Sequence, residues 1–149
     1  MRRAVLFRSI NRVLGTSEQV IEAAYVWSRH RLMVWYGTGA FVLLFAVAEF
    51  AGFDDLATKV ALGAAGAAVA VTATTDYRIV AMTTEGAYVF RASRIRRVAL
   101  SLVGTLDPDT TMSPVGGTVF AVDWQVGEAR YTVTKSSEQA IQRIADERG

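Results

Sequence analysis

The sequence predicts an α+β membrane protein, in which a hairpin of two transmembrane helices is followed by a small antiparallel β-sheet or partial barrel that a C-terminal helix caps. Residues 32–51 and 56–75 are apolar runs separated by only four residues. After residue 76 the apolar side chains alternate with polar ones, which is typical of strands, and the last segment returns to a helical period. With 149 residues, the chain can hold one compact domain beside a membrane anchor.

The composition of the chain excludes several classes of site. Hydrophobic residues make up 52% of the chain, and there is no cysteine and only one histidine. Disulfides, thiolate metal sites and cysteine nucleophiles are therefore excluded, and we predict no metal site and no cofactor. The net charge of +2 is low for a protein that binds nucleic acid. No aromatic residue is interleaved with the clustered arginines either, so we predict no nucleic-acid partner.

Residues 1–31 are predicted to form cytoplasmic amphipathic helices. In residues 3–14, which are predicted to form a short helix, one helical face is apolar and another carries Arg8 and Arg12. We expect this helix to lie on the inner membrane surface with its arginines among anionic headgroups, and a frayed N-terminus is the alternative. The run Thr16–Gln19 has the composition of a capping box and predicts that a second helix begins there. His30 is expected to be an interfacial basic residue. The apolar face consists of Leu6, Phe7, Ile10, Val13 and Leu14.

Residues 32–75 are predicted to cross the membrane twice. A hydrocarbon core of roughly 30 Å needs about 20 helical residues, and each apolar run has that length. The connecting turn is short, and we expect Asp55 to cap the second helix by accepting from its free backbone N–H groups. Arg29 and Arg31 precede the first run and Arg78 follows the second. By the positive-inside rule, both termini of this multi-pass plasma-membrane protein should be cytoplasmic. A buried helical hairpin in a soluble protein is the alternative.

The second apolar run contains small residues spaced four apart, which let another helix approach closely. We expect them to pack against the first helix of the same hairpin, and a face for dimerisation or partner docking is the alternative. Glu49 and Lys59 are charges inside the runs. They lie near the outer interface, where they can reach water or pair with each other. The small residues of this face are Gly63, Gly66, Ala67 and Ala70.

Residues 76–149 are predicted to form a cytoplasmic β domain with a C-terminal helix. The alternation of apolar and polar residues predicts five strands. The stretch 106–117 is predicted to be a loop, because it is rich in Asp, Thr, Pro and Gly. We expect Asp123 either to face solvent or to pair with Arg130 across the last hairpin, and the run Ser136–Gln139 to cap the final helix. The predicted strands cover residues 77–82, 87–91, 97–103, 118–126 and 130–134. The third strand is expected to have an apolar face of Val98, Leu100 and Leu102, and the fourth one of Phe120, Val122, Trp124 and Val126.

The order of these elements resembles that of bacterial pleckstrin-homology-like (PH-like) membrane proteins. The resemblance rests on the membrane hairpin, the strand-turn-strand DYRIVAMTTEGAYVFRASR, a meander that ends in GEARYTVTK, and the final helix. The stretch RVLGTSEQVIEAAYVWSRHR also resembles the segment that often precedes the membrane helices in that group. The resemblance implies a strongly bent antiparallel sheet or partial barrel, closed at one end by the C-terminal helix.

Two departures from the family pattern have consequences. A full PH barrel has seven strands, whereas five are predicted here, which implies a domain that is incomplete or completed by a partner chain. Eukaryotic PH domains hold phosphoinositides on basic residues around the first strand turn. The turn at residues 83–86, which stands in that place among the predicted strands, is acidic. The family's lipid site is therefore not expected there.

No set of residues suited to catalysis can be assembled from the sequence. Asp107 and Asp109 lie beside Pro108 and among threonines, which is typical of a turn that caps itself. Ser136 and Ser137 have no base near them in the sequence, and a capping role explains them. Since a nucleophile, a base and an orienting group are all needed for acyl-transfer chemistry, we predict that the protein is not an enzyme.

The most distinctive polar feature is a run of four arginines within seven residues. If the β domain lies at the inner leaflet of the membrane, each arginine near the surface contributes about 1 kcal/mol of attraction to anionic lipid. The same run could instead bind an acidic protein partner through charge-assisted hydrogen bonds. A solvated loop with no ligand is the further alternative. These arginines are Arg91, Arg94, Arg96 and Arg97.

These observations lead to two hypotheses about function. The first is a non-enzymatic, membrane-anchored interaction or scaffold module at the cytoplasmic face of the plasma membrane. Besides the lipid bilayer, its partner would be anionic lipid headgroups, a membrane protein of which it is an accessory subunit, or further copies of itself. The alternative is a small oligomeric membrane-active or transport component, assembled through the Gly/Ala-rich second transmembrane helix.

Overall fold

The structure is a computed structural model, and it describes residues 3–15, 18–29 and 32–147. Some of the sequence-based expectations concern residues outside these ranges. The expected roles of Thr16, Ser17, His30 and Arg31 lie outside the described residues.

Two compact units make up the chain. The sheet unit consists of Met1–Ser28 and Asp76–Gly149, and the helical hairpin consists of Arg29–Thr75. In chain order the elements are α1 (Arg3–Leu14), β1 (Val20–Arg29), α2 (Met33–Phe50), α3 (Leu56–Ala73), β2 (Thr75–Thr83), β3 (Ala87–Ala92), β4 (Ala99–Leu106), β5 (Met112–Gly117), β6 (Ala121–Val126), β7 (Ala129–Thr134) and α4 (Lys135–Asp146).

The helical hairpin consists of α2 and α3, which match the two predicted spans to within two residues at each end. Both helices are long and apolar enough to cross a membrane. Of the 18 residues in each helix, only Gly37 and Ala48 in α2 and Gly63 and Gly66 in α3 are buried. This exposure of apolar side chains does not fit the alternative of two core helices in a soluble protein, because such helices would be mostly buried.

The turn between the two helices is closed by Asp55, as predicted. Its carboxylate accepts hydrogen bonds from the hydroxyl (2.7 Å) and the backbone N–H (2.8 Å) of Thr58. These two bonds lower the pKa of Asp55 below its ordinary value, because they stabilise the ionised form. Of the two alternatives left open for Glu49 and Lys59, the structure shows the second, since the two side chains form an ion pair beside this turn.

The sheet unit contains an antiparallel sheet of seven strands in the order β4-β3-β2-β1-β7-β6-β5. The prediction of five strands is wrong, because neither β1 nor β5 was expected. The other five strands correspond to the predicted ones, and Asp123 pairs with Arg130 at 2.9 Å across β6 and β7, which is one of the two alternatives left open for Asp123. The turn at residues 83–86 joins β2 to β3 and is not the first strand turn.

Strand β1 replaces the second N-terminal helix that was predicted. It is the central strand of the sheet, and its side chains are buried on both faces: Ala23 and Tyr25 on one, Ala24 and Val26 on the other. A strand buried on both faces shows no alternation of apolar and polar residues. Its sequence therefore fits a buried helix as well as a strand, and the helix prediction was wrong for that reason.

Strands β4 and β5, at the two edges of the sheet, also depart from the prediction. β5 lies within the stretch that was expected to be a loop, and nearly all of its residues are exposed, so it has no apolar face to recognise. In β4, Leu100 and Leu102 are 58% and 44% exposed, and the buried residue is Ala99. Phe120 is 84% exposed because it lies in the β5–β6 turn and not in a strand.

The core of the sheet unit has two layers, one on each face of the sheet. α1 covers one face, where Leu6 and Ile10 pack with residues of β1, β2 and β3. α4 covers the other face, where Ile141 and Ile144 pack with Trp124 and other residues of β1, β2, β6 and β7. Consecutive residues of β1 and β2 alternate between the two layers, as the period of a strand requires.

Helix α1 forms where it was predicted, but its apolar face is buried by the sheet. Leu6 and Ile10 are 2% and 0% exposed. The hydroxyl of Ser9 accepts a hydrogen bond from the backbone N–H of Ala99 (3.0 Å), which ties α1 to the start of β4. The expectation that this face lies on the inner membrane surface is therefore corrected, because the side chains that would enter the lipid belong to the core.

A buried carboxylate links the two helices that cover the sheet. Glu22 of β1 is 7% exposed. One of its oxygens accepts from the guanidinium of Arg3 in α1 (2.9 Å) and from that of Arg143 in α4 (3.1 Å). A buried carboxylate is stable when it is paired and hydrogen-bonded in this way. The first helix and the last are thereby joined at the same strand.

Helix α4 begins one residue before the predicted cap. Its N-cap residue is Thr134, which makes no side-chain hydrogen bond to the helix backbone. The hydroxyls of Ser136 and Ser137 lie within hydrogen-bond distance of the Thr134 hydroxyl, at 3.0 and 3.3 Å. The helix itself is confirmed, whereas the predicted capping role of Ser136 and Ser137 is not.

Candidate functional site

The predicted run of arginines forms the connection between β3 and β4. Arg91 lies on β3, and the other three belong to residues 93–98, which we call the basic loop. All four side chains are exposed. Within the described ranges no carboxylate lies at ion-pair distance from any of them. Their positive charge is therefore open to a ligand. The loop arginines are Arg94, Arg96 and Arg97.

The basic loop is held in one conformation by hydrogen bonds that converge on Ser93. The N–H of Ser93 donates to the carbonyl of Val98 (2.9 Å), and the N–H of Arg97 donates to the carbonyl of Ser93 (2.9 Å). The N–H of Arg96 donates to the Ser93 hydroxyl at 3.2 Å. Arg97 adopts a left-handed backbone conformation with φ of 51°, which is uncommon outside glycine and allows the chain to turn here.

Two stacked tyrosines pack against the arginines of the basic loop. The rings of Tyr25 and Tyr77 have centroids 5.9 Å apart and planes inclined by 24°. The guanidinium of Arg97 lies 5.5 Å from the ring of Tyr25, and that of Arg94 lies 5.9 Å from the ring of Tyr77. Both distances are within the range of cation–π attraction. The hydroxyl of Tyr25 also donates to the carbonyl of Ser93 at 3.4 Å.

The basic loop lies at the end of the sheet where the chain passes to and from the helical hairpin. β1 ends where the chain enters the hairpin, and β2 begins at Thr75, where the chain returns. Arg78 of β2 pairs with Arg91 of β3, and Ala92 of β3 pairs with Ala99 of β4. The loop between Ala92 and Ala99 is therefore level with the first residues of β2.

Two further arginines predicted to bind lipid or a partner, Arg8 and Arg12, lie on α1 and are exposed. The hydrogen bond between Ser9 and Ala99 places α1 beside the strand that follows the basic loop. Helix α1 thus packs near the start of β4, and the contact is made by Ser9 and not by the two arginines.

The sequence reasoning missed Ile95, at the apex of the basic loop. Its side chain is 90% exposed between Arg94 and Arg96. It also missed the tyrosine pair, because Tyr25 was assigned to a helix and Tyr77 to a strand beyond the hairpin. The sequence did carry a signal for Ile95. It is a lone isoleucine inside a run of arginines and has no periodic apolar partner.

The burial of Tyr25 leads to a testable prediction about its pKa. Burial raises the pKa of Tyr25 above its ordinary value, the neighbouring Tyr77 raises it further, and Arg97 and Arg94 lower it. Because the folded state favours the neutral phenol, its contribution to stability is complete below pH about 10 and is lost as the pH rises beyond that. We expect Tyr25 to form tyrosinate at a pH above the ordinary value for tyrosine. The difference in ultraviolet absorbance between the native chain and Tyr25→Phe during an alkaline titration measures this transition.

The arginines provide the control for this titration. In an Arg94→Ala/Arg97→Ala variant the tyrosinate of Tyr25 loses two nearby cations, so its transition should move to still higher pH. If Tyr25→Phe instead removes a transition at the ordinary pH for tyrosine, the buried, stacked position of Tyr25 is contradicted.

The small residues of α3 pack against α2 of the same chain. A Cβ atom built on Gly63 would lie 2.9 Å from the ring of Phe41, and one on Gly66 would lie 3.1 Å from the carbonyl oxygen of Ala40. Such distances leave no room for a side chain. The carbonyl of Ala67 also faces α2, at 4.0 Å from a Cβ built on Gly37. Ala70 is half-buried, and its carbonyl accepts from Thr74 within the end of α3.

The other groups considered in the sequence take part in local structure. Thr110 donates its backbone N–H to the carbonyl of Asp107 at 2.9 Å, so this segment is a turn as expected. Over residues 3–15, 18–29 and 32–147, no group of three or more His, Cys, Asp or Glu side chains is arranged to hold a metal ion.

No family model, curated protein or solved structure matches this chain. The functional argument therefore rests on the geometry of the described residues.

Proposed function

We propose that this protein is a non-enzymatic, membrane-anchored interaction module whose basic loop binds anionic lipid headgroups at the cytoplasmic face of a bacterial plasma membrane. The observation that carries the proposal is the basic loop itself. It presents exposed arginines with no carboxylate partner among the described residues, at the end of the sheet that connects to two apolar helices.

Membrane insertion of the helical hairpin is supported by its length, apolarity and flanking charges. Eighteen helical residues extend about 27 Å, close to the roughly 30 Å of a hydrocarbon core. Arg29 precedes α2 and Arg78 follows α3, whereas the turn between the helices carries Asp54 and Asp55. The positive-inside rule then directs the sheet unit and both termini to the cytoplasm.

A PH-like identity for the sheet unit is supported by the strand count and the final helix. The sequence resemblance left two strands missing from the seven of a full PH barrel. With β1 and β5 the sheet has seven strands, and α4 follows the last of them. No partner chain is then needed to complete the strand count. On this proposal the helical hairpin is inserted between the first and second strands.

Chain connectivity supports a position of the basic loop near the bilayer in this proposal. α3 ends at Ala73 and β2 begins at Thr75, so a single residue separates them. Tyr77, on which Arg94 rests, follows two residues later, or roughly 7 Å further along an extended strand. Headgroups beside the end of α3 are therefore within reach of the loop arginines, and the field of the anionic leaflet acts over about 8 to 10 Å.

The test measures binding of a soluble anionic lipid by the full chain in mild nonionic detergent. Short-chain phosphatidylglycerol is titrated into the micelles, with short-chain phosphatidylcholine as the neutral comparison. At about 1 kcal/mol for each arginine, Arg94→Ala/Arg96→Ala/Arg97→Ala should weaken phosphatidylglycerol binding by about 100-fold. Binding by the native chain should also weaken as salt is added, because ions screen the attraction.

A matched control removes a cation elsewhere on the same unit. Lys135 is exposed at the start of α4 and directly follows Thr134, which pairs with Ala121 at the end of the sheet away from Arg29. Lys135→Ala should change phosphatidylglycerol binding by no more than about twofold, since this charge is away from the basic loop. Equal binding by the native chain and the loop variant would refute the proposal. A stoichiometric protein that copurifies with the native chain and is lost from the variant would assign the loop to an acidic protein partner instead.

A further inference from the structure

The apex of the basic loop is apolar, although the residues on either side of it are cationic. Ile95 is 90% exposed and lies between Arg94 and Arg96. Single exposed apolar residues are common on protein surfaces, so exposure alone does not indicate a site. The conformation of the loop and its position in the sheet supply the further argument.

Hydrogen bonds within the basic loop restrict its conformation without a ligand. Its ends are joined by the hydrogen bond from Ser93 to Val98, and its interior is fixed by the bonds from Arg96 and Arg97 to Ser93. Arg97 is further held over Tyr25. The isoleucine at the apex is thus held away from the protein by a loop that loses little conformational entropy on binding.

We propose that Ile95 inserts into the bilayer at the boundary between headgroups and acyl chains, while the adjacent arginines contact the anionic headgroups above it. This inference rests on the proposed function, and it adds that the loop apex contacts the boundary between headgroups and acyl chains. An apolar side chain flanked by cations fits the depth profile of an anionic interface, where charge lies a few ångströms outside the hydrocarbon. The loop's position, level with the start of β2, favours lipid over a distant partner.

The absence of cysteine makes insertion directly measurable. The sequence contains no cysteine, so Ile95→Cys creates a single site for an environment-sensitive nitrobenzoxadiazole probe. The labelled full chain is reconstituted into nanodiscs of phosphatidylcholine, with or without phosphatidylglycerol. In the anionic nanodiscs we expect a blue shift, a gain in intensity, and quenching by lipids that carry a nitroxide near the top of the acyl chain.

Two comparisons separate insertion from a general effect of the probe. Val119 is 80% exposed in the β5–β6 turn. The pairing of Val133 with Val26 shows that β7 runs toward the start of β1, which puts this turn on the side of the sheet away from Arg29. A probe on Val119→Cys should keep the spectrum of an aqueous environment. Adding the three loop arginine substitutions to Ile95→Cys should abolish the blue shift and the quenching.

The outcomes distinguish this inference from the proposed function. If the probe at position 95 remains aqueous in anionic nanodiscs while phosphatidylglycerol binding still depends on the loop arginines, insertion is refuted and the proposed function stands. If phosphatidylglycerol binding does not depend on the arginines, the proposed function is refuted, and the inference that rests on it is refuted as well. Equal quenching at positions 95 and 119 would also overturn the inference, because the apex would then have no special depth.

Discussion

Replacing Trp124 with alanine is expected to lower the free energy of unfolding of the sheet unit by about 3–5 kcal/mol. The side chain is 1% exposed and lies in the core layer between the sheet and α4, with Tyr131 opposite it on β7. Because domains are stable by only about 5–15 kcal/mol, this loss should unfold the unit at markedly lower denaturant concentration. Urea unfolding of the full chain in nonionic micelles, followed by hydrogen exchange of peptides from β6, β7 and α4, measures it.

Phe120→Ala is the matched control for this change. It also truncates an aromatic residue, but Phe120 is 84% exposed in the turn that precedes the same strand. Its effect should stay within about 0.5 kcal/mol, as is usual for surface substitutions. Similar losses from Trp124→Ala and Phe120→Ala would contradict the assignment of Trp124 to the core.

An intermediate variant separates the packing of the Trp124 ring from its polar group. The indole N–H has no hydrogen-bond acceptor among the described residues, and burying an unpaired donor costs about 1–3 kcal/mol. Trp124→Phe removes this donor together with part of the ring volume. Its loss of stability should therefore be clearly smaller than that of Trp124→Ala, since the removed cost offsets part of the lost packing.

The elements that the sequence predicted well are those whose pattern does not depend on their neighbours. The two apolar runs identify α2 and α3 because spanning a bilayer requires length and apolarity over every turn. Asp55 was recognised as a cap because its partner, Thr58, is only three residues away. In the same way, the pairing of Asp123 with Arg130 follows from a tight β-hairpin, in which local spacing sets the register.

The missed elements depend on contacts that local sequence does not record. β1 shows no alternation because both of its faces are buried, and β5 shows none because it is an exposed edge. The arginines of the basic loop could be found by composition, whereas the tyrosine pair beneath them could not. Tyr25 and Tyr77 lie on either side of the whole helical hairpin in sequence, and only the pairing of strands brings their rings together.

The second large effect is expected from Gly63→Leu in the helical hairpin. The added Cβ would lie 2.9 Å from the ring of Phe41 and 3.1 Å from its carbonyl oxygen, so α2 and α3 must move apart. Overpacking of this kind costs about 1–3 kcal/mol. Thermal unfolding of the full chain in nonionic micelles, followed by circular dichroism of the helical signal, should show a lower midpoint. Gly39→Leu is the control, because no heavy atom lies within 4 Å of a Cβ at Gly39.

The same pair of variants decides between packing within the chain and assembly between chains. If Gly63 serves only the contact with α2, Gly63→Leu lowers the unfolding midpoint, and the mass of the protein–detergent complex, measured by light scattering, stays that of the native chain. If the small-residue face instead joins copies of the chain, Gly63→Leu reduces that mass and leaves the midpoint nearly unchanged. A face filled by Phe41 and Leu44 of the same chain cannot also hold a second copy, so the two results exclude each other. The second result would favour a helix-assembled membrane-active or transport component.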